Sequence, residues 1–221
     1  MAITLSLFLF SCASNTVKSN GYEDSSQITT NEYNSVNDDI EPSSQDFFME
    51  YIPGVWNNNE FTSAWYGFTF VALPNMKTIS EKDLKLMNAQ MSRAFDGPGA
   101  ESYAYEDMKI VYEVVSSTED GLTSINILTE KSFKDGLTVE EYAEILMQEL
   151  KTTHGRNIDF EELVFTKIGK YNYYTLTAEI NIDGIVSYKS FFLLNKINRF
   201  ATVLFDYTIR EQFLELLYCF S

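Results

Sequence analysis

Ile185-Val186-Ser187-Tyr188-Lys189-Ser190-Phe191-Phe192-Leu193-Leu194 is the stretch from which the fold follows. Its β-branched and aromatic residues favour a strand. Successive strand side chains point to opposite sides, so Val186, Tyr188, Phe192 and Leu194 face one way and Ile185, Phe191 and Leu193 the other. Both sides are apolar. Such a strand exposes a large patch to water unless its sheet is covered on both faces. Working outward, Asp183-Gly184 supplies two residues tolerant of positive φ, which suits a tight hairpin to a strand over 170–182. On the other side, 195–198 reads as a turn into a strand over 199–208, and Gly169 sets off a further segment near 160–167. The result is a four-stranded meander.

Upstream, residues 66–73 read as a strand ended by Pro74. Ser80 caps a helix with Leu84, Met87, Met91, Ala94 and Phe95 on one face, and Asp96-Gly97-Pro98-Gly99 stops it. Two strands follow over 107–117 and 124–132, joined through Glu119-Asp120-Gly121. Thr138-Val139-Glu140-Glu141 is a capping box, and the helix it opens turns Val139, Ala143, Leu146 and Leu150 inward before Gly155. Thr208-Ile209-Arg210-Glu211 repeats the box before a last helix with Phe213, Leu216 and Leu217 inward. This order predicts an α+β fold: a three-layer α/β/α sandwich with a mainly antiparallel sheet and helices on both faces. No period of 20–50 residues recurs, which excludes solenoids and propellers.

The chain has 221 residues, 45% of them hydrophobic, with 17 Phe and 14 Tyr, ample for one packed core. Against 16 bases stand 32 acids, a formal charge of -16 that repels phosphate backbones and excludes nucleic acid as the expected partner. Residues 13–46 are polar, acidic and without periodicity, and read as a disordered tether. As a flexible coil it would span roughly 30 Å. The folded domain is expected over 47–221. Residues 2–10 form an apolar run too short to span a bilayer and of the length of a secretory signal.

Leu9-Phe10-Ser11-Cys12 resembles the lipobox of bacterial lipoproteins. The resemblance implies a signal peptide over 1–11, lipidation of Cys12, and residence on the extracytoplasmic face of the cell membrane through that anchor. An ordinary signal cut after Ala13 is the alternative, since Ser11 and Ala13 also make a small-x-small site. Phe61-Thr62-Ser63-Ala64-Trp65-Tyr66-Gly67-Phe68-Thr69-Phe70, followed by Pro74, resembles the opening of the PsbP-like family. A similar opening recurs in small lipoproteins of Gram-positive bacteria. This resemblance implies fold and surface location and carries no catalytic residue.

Chemistry is sparse. The single histidine, His154, falls at a helix C-terminus, where a positive charge is favourable. With Cys12 assigned to lipid, Cys219 remains as a free core thiol. No nucleophile elbow, zinc helix or phosphate loop occurs, so no catalytic residue, cofactor or metal is expected. Glu140-Glu141 sits in a helix first turn and Glu161-Glu162 is an adjacent pair, both better read as solvated. Trp56, Trp65, Tyr171 and Tyr173 are the candidate binding surface: an aromatic and hydroxyl face suited to a glycan or an envelope protein, with core packing as the alternative. The expected function is a non-catalytic binding or assembly module. A wall-directed hydrolase using a carboxylate pair and a solute-capturing lipoprotein are the alternatives.

Overall fold

The computed structural model describes residues 51–221; the signal, Cys12 and tether readings lie outside them. The chain enters through β1 (Val55–Asn57), β2 (Glu60–Ser63), β3 (Phe68–Val71) and β4 (Met76–Thr78), then α1 (Glu81–Asp96). Next come β5 (Ile110–Thr118), β6 (Ser124–Lys131) and α2 (Val139–His154). Then follow β7 (Ile158–Phe160), β8 (Val164–Ile168), β9 (Tyr171–Ile182), β10 (Ile185–Lys196), β11 (Arg199–Tyr207) and α3 (Gln212–Leu217).

The main sheet runs β4-β5-β6-β11-β10-β9-β7, with β8 also pairing β9, and its pairings are antiparallel. Its spine is the predicted meander. Asp183 and Gly184 both adopt positive φ, 54° and 83°, and bring Ile182 opposite Ile185. At the far end Ile197 and Asn198 do the same, bringing Lys196 opposite Arg199. Phe191 and Phe192 are fully buried on opposite faces, as the alternation requires. Phe192 packs among Val203, Phe205 and Ile127; Phe191 packs among Leu176, Phe200 and the α2 residue Leu146.

The two faces are not covered as expected. α2 lies on the Phe191 face, capped by Thr138 and Glu141 with both reciprocal bonds formed, and buries Tyr142, Ala143, Leu146 and Leu150. The Phe192 face instead carries a second, three-stranded sheet of β1, β2 and β3 together with α3. The physical reason is the density of large side chains there. Phe61, Trp65, Tyr66, Phe68 and Phe70 are all buried, and they offer the sheet more apolar area than a helix stripe would. The C-terminus completes this layer, because Ser221 exchanges backbone bonds with Thr69 and pairs the chain end to β3.

Helix α1 contacts β5 in an unanticipated way. Of the predicted Leu84, Met87, Met91, Ala94 and Phe95 only Leu84 is buried; the other buried residues are Asn88 and Ser92, each one turn on. Asn88 Nδ2 donates to the Tyr112 carbonyl at 2.8 Å, and the Tyr112 N–H donates to Asn88 Oδ1 at 2.8 Å. One side chain thus supplies what a neighbouring strand would give. At α3 the predicted capping box does not form: Gln212 Oε1 accepts the N–H groups of Thr208 and Ile209, which takes over the cap. Among the described residues no helix is long and apolar enough to cross a membrane.

Candidate functional site

Strand β5 reads Ile-Val-Tyr-Glu-Val-Val, an apolar run interrupted by one acid, Glu113. The register with β6 slips between Tyr112 and Val114, which leaves Glu113 as the extra residue of a β-bulge. Alternation puts Glu113 on the inward face of Val111, where only 4% of it is exposed, and the bulge lets Val114 face inward beside it. Its Oε1 accepts from the Tyr51 hydroxyl at 3.0 Å, and its Oε2 accepts from the Gly54 N–H. Burial raises the Glu113 carboxyl to about 7; the bonds from Gly54 and Tyr51, the nearby Tyr66 hydroxyl and the Arg199 charge pull the other way without cancelling it. Tyr51 and Tyr66 are themselves raised by burial and then by the negative field of Glu113.

Two cations from the β10–β11 turn close this cluster. The Arg199 guanidinium lies 4.8 Å from the Tyr51 ring centre, and its Nη2 donates to the carbonyls of Glu106 at 2.6 Å and Met108 at 3.2 Å. Lys196 Nζ sits 4.0 Å from the Tyr171 ring centre and 5.4 Å from that of Trp65. Trp65 meets Tyr51 edge-on at 5.3 Å. The β2–β3 turn is locked to the β8–β9 turn by two glycines. Gly67 (φ 74°) has no room for a Cβ, which would fall 2.4 Å from the Tyr171 ring, and a Cβ at Gly169 (φ 55°) would fall 2.4 Å from the Gly67 carbonyl. The Tyr173 hydroxyl donates to the Tyr66 carbonyl at 2.5 Å in the same layer.

The candidate binding surface is corrected by this arrangement. Trp65, Tyr171 and Tyr173 are brought together, but as core: they are 2%, 6% and 0% exposed. Trp56 is half-buried against Phe61. The face they occupy is roofed by the β1–β3 layer, so it offers no open aromatic platform.

A second buried acid lies on the opposite face. Glu130 of β6 accepts from the Tyr142 hydroxyl at 2.8 Å, and Tyr142 stacks on Phe200 with ring centres 4.0 Å apart. Burial, helped by the nearby Glu149 charge, raises Glu130 to about 7. His154 ends α2 as expected, and burial, then the Lys189 charge, lower its pKa, which works against the favourable helix-end charge. Cys219 is buried and its thiol raised to about 11 by burial. Glu141 serves the α2 cap, and Glu161 pairs with Arg210 in the β7–β8 loop. Among the described residues no group of three or more His, Cys, Asp or Glu is disposed to hold a metal.

Neither buried acid lines either of two depressions in the surface of the described residues. One, of about 660 Å³, is lined by Pro74, Met76, Lys77, Thr118, Glu119 and Asp120. Another, of about 240 Å³, lies between the 132–137 loop and the β10–β11 turn. Sequence reading missed Glu113, Glu130, Lys196 and Arg199. The signal available was an acid within an apolar strand run; the two cations read as ordinary turn-flanking residues.

No family model and no curated protein matches the chain. Among solved structures, the solution structure of cyanobacterial PsbP (CyanoP) from Synechocystis sp. PCC 6803 is similar at 10% identity and a TM-score of 0.44, covering 73% of this chain and 90% of that one. A likeness at that level assigns no residue, ligand or role to this chain.

Proposed function

We propose that the chain is a lipid-anchored extracytoplasmic lipoprotein whose domain acts as a non-catalytic binding or assembly module for an envelope protein or glycan. The lipobox-like Leu9-Phe10-Ser11-Cys12 supports the anchor, and two acyl chains suffice for stable membrane attachment. The observation that carries the module reading is the burial of Glu113 and Glu130, which lie on opposite faces and are each engaged by tyrosine. A PsbP-like family membership and a three-layer arrangement belong to the same proposal, with the outer layers formed by α2 on one side and by β1–β3 with α3 on the other.

The hydrolase alternative keeps one point in its favour, because acids held near 7 are suited to general acid catalysis. Two measurements decide. Mass spectrometry of the mature N-terminus should find an acylated Cys12, and Cys12→Ala should release the protein from membranes; an unmodified peptide beginning at Ser14 sinks the anchor. Incubation with purified cell wall should release no soluble fragments. Fragment release lost in Glu113→Gln or Glu130→Gln would establish the hydrolase instead.

A further inference from the structure

Two sheet edges are closed within the chain. The outer edge of β5 is met by β4 and, at Tyr112, by Asn88, and the outer edge of β3 is met by the chain end at Cys219 and Ser221. The edge formed by β8 is left open. Gly169 and Lys170 make a two-residue hairpin, so the closing pair Ile168–Tyr171 exchanges backbone bonds and the ladder alternates from there. Val164, Thr166 and Ile168 therefore bond to β9, while the N–H and C=O groups of Phe165 and Lys167 point away from the sheet. Among the described residues no hydrogen bond reaches those outward groups. Phe165 is 67% exposed and Val164 50% exposed, and Tyr174 braces the Phe165 ring edge-on at 5.2 Å. Unpaired backbone beside exposed apolar side chains is a ready surface for another strand.

We propose that β8 is a self-association edge, at which two copies of this chain pair antiparallel about Thr166 and join their main sheets. The order of charges selects this occupant. Over 161–170 the chain reads Glu-Glu-Leu-Val-Phe-Thr-Lys-Ile-Gly-Lys, with acids at one end and bases at the other. An antiparallel copy of the same edge sets opposite charges against each other, whereas a parallel copy sets like against like. Within β8 the two-fold register centred on Thr166 satisfies all the outward groups, because Phe165 of each copy exchanges both bonds with Lys167 of the other. Phe165 and Lys167 point to one face by alternation, so each Lys167 then lies against the Phe165 ring of the other copy. Just beyond the strand, Glu162 of each copy falls opposite Lys170 of the other. A formal charge of -16 opposes self-association as a whole, and the edge offsets that repulsion where the copies meet. An interface of one short strand pair is small, so monomer and dimer interconvert in solution.

The test is sedimentation velocity of the full chain over a concentration series, with disulfide trapping for the register. Sedimentation should show a dimer that grows with concentration. Phe165→Pro removes one outward N–H from each copy and no bond to β9, and should weaken dimerisation at least about tenfold. Glu162→Lys should weaken it as well, and the Glu162→Lys, Lys170→Glu double variant should restore it. Within one chain those two residues lie beyond opposite ends of β8, so the rescue reports pairing between copies. For trapping, Cys12→Ser removes the competing thiol. Thr166→Cys should then form a covalent dimer under mild oxidation, since the pair at the axis brings its Cα atoms to about 4.5 Å; Phe165→Cys should not. A chain that stays monomeric throughout the series overturns the proposal. So does a dimer that Phe165→Pro and Glu162→Lys leave unchanged, or one that Phe165→Cys traps and Thr166→Cys does not.

Discussion

Phe191 and Phe192 show how far a pair of adjacent residues can determine packing. Each is fully buried, one against α2 and the other against the β1–β3 layer. Phe191→Ala and Phe192→Ala should each cost about 3–5 kcal/mol in denaturant melts, since each side chain is fully buried in its cluster. A small loss at either would mean that its face is loosely packed. Tyr173 belongs with them, not with a binding surface. Tyr173→Phe keeps the ring but strands the buried Tyr66 carbonyl, at a cost of about 1–3 kcal/mol. Alternation alone told the two phenylalanines apart, because strand geometry is local. Whether the tyrosine face was open or roofed depended on residues more than a hundred positions away, and no local pattern carries that.

Among the elements, α2 and α1 behave differently. α2 follows from its sequence: a capping box, an apolar stripe and a Gly stop all agree. Thr138→Ala should cost about 1 kcal/mol through the lost cap. In α1 the cap at Ser80 was equally legible and forms. Its buried face was not legible, because Asn88 and Ser92 are polar and hydrophobic periodicity passes over them. Asn88 is inward because β5 has a bulge whose edge needs a donor and an acceptor. Asn88→Leu should cost more than Asn88→Asp, which retains the acceptor for the Tyr112 N–H. Equal losses, measured by thermal melts, would show that volume rather than backbone pairing holds α1 in place.

For the whole molecule, two buried glutamates give stability an unusual pH dependence. Both folded-state values lie near 7, above the ordinary 4.5 of the unfolded chain. The folded state therefore binds protons more tightly than the unfolded one. The resulting stability is fully present below about 4.5 and is lost as pH rises to about 7, on the order of 3 kcal/mol for each group. His154, with its lowered value, acts in the opposite sense as pH falls through its range. Denaturant melts from pH 5 to pH 8 should show falling stability in the parent and a nearly flat profile in the Glu113→Gln, Glu130→Gln double variant. A parent profile that rises over that interval would refute the buried-acid account. A chain beginning at Asp46 should melt like one beginning at Ala13, whereas one beginning at Val55 lacks both of its segment's donors to Glu113 and should melt lower.

What the amino-acid order settled was whatever depends on near neighbours: the meander, its Asp183-Gly184 hairpin, the caps of α1 and α2, the antiparallel sense of the sheet, and the two-sidedness of β10. Turn chemistry, capping and side-chain alternation act over two to four residues, so they survive in a linear reading. Tertiary structure decided what covers each face, and with it the fate of Trp65, Tyr171 and Tyr173. It also decided that Glu113 and Arg199, 86 positions apart by their numbers, share one desolvated cluster. Burial is a property of the assembled layers: a carboxylate in a strand run is solvated or sealed according to what packs over it, and here the second sheet closes over it.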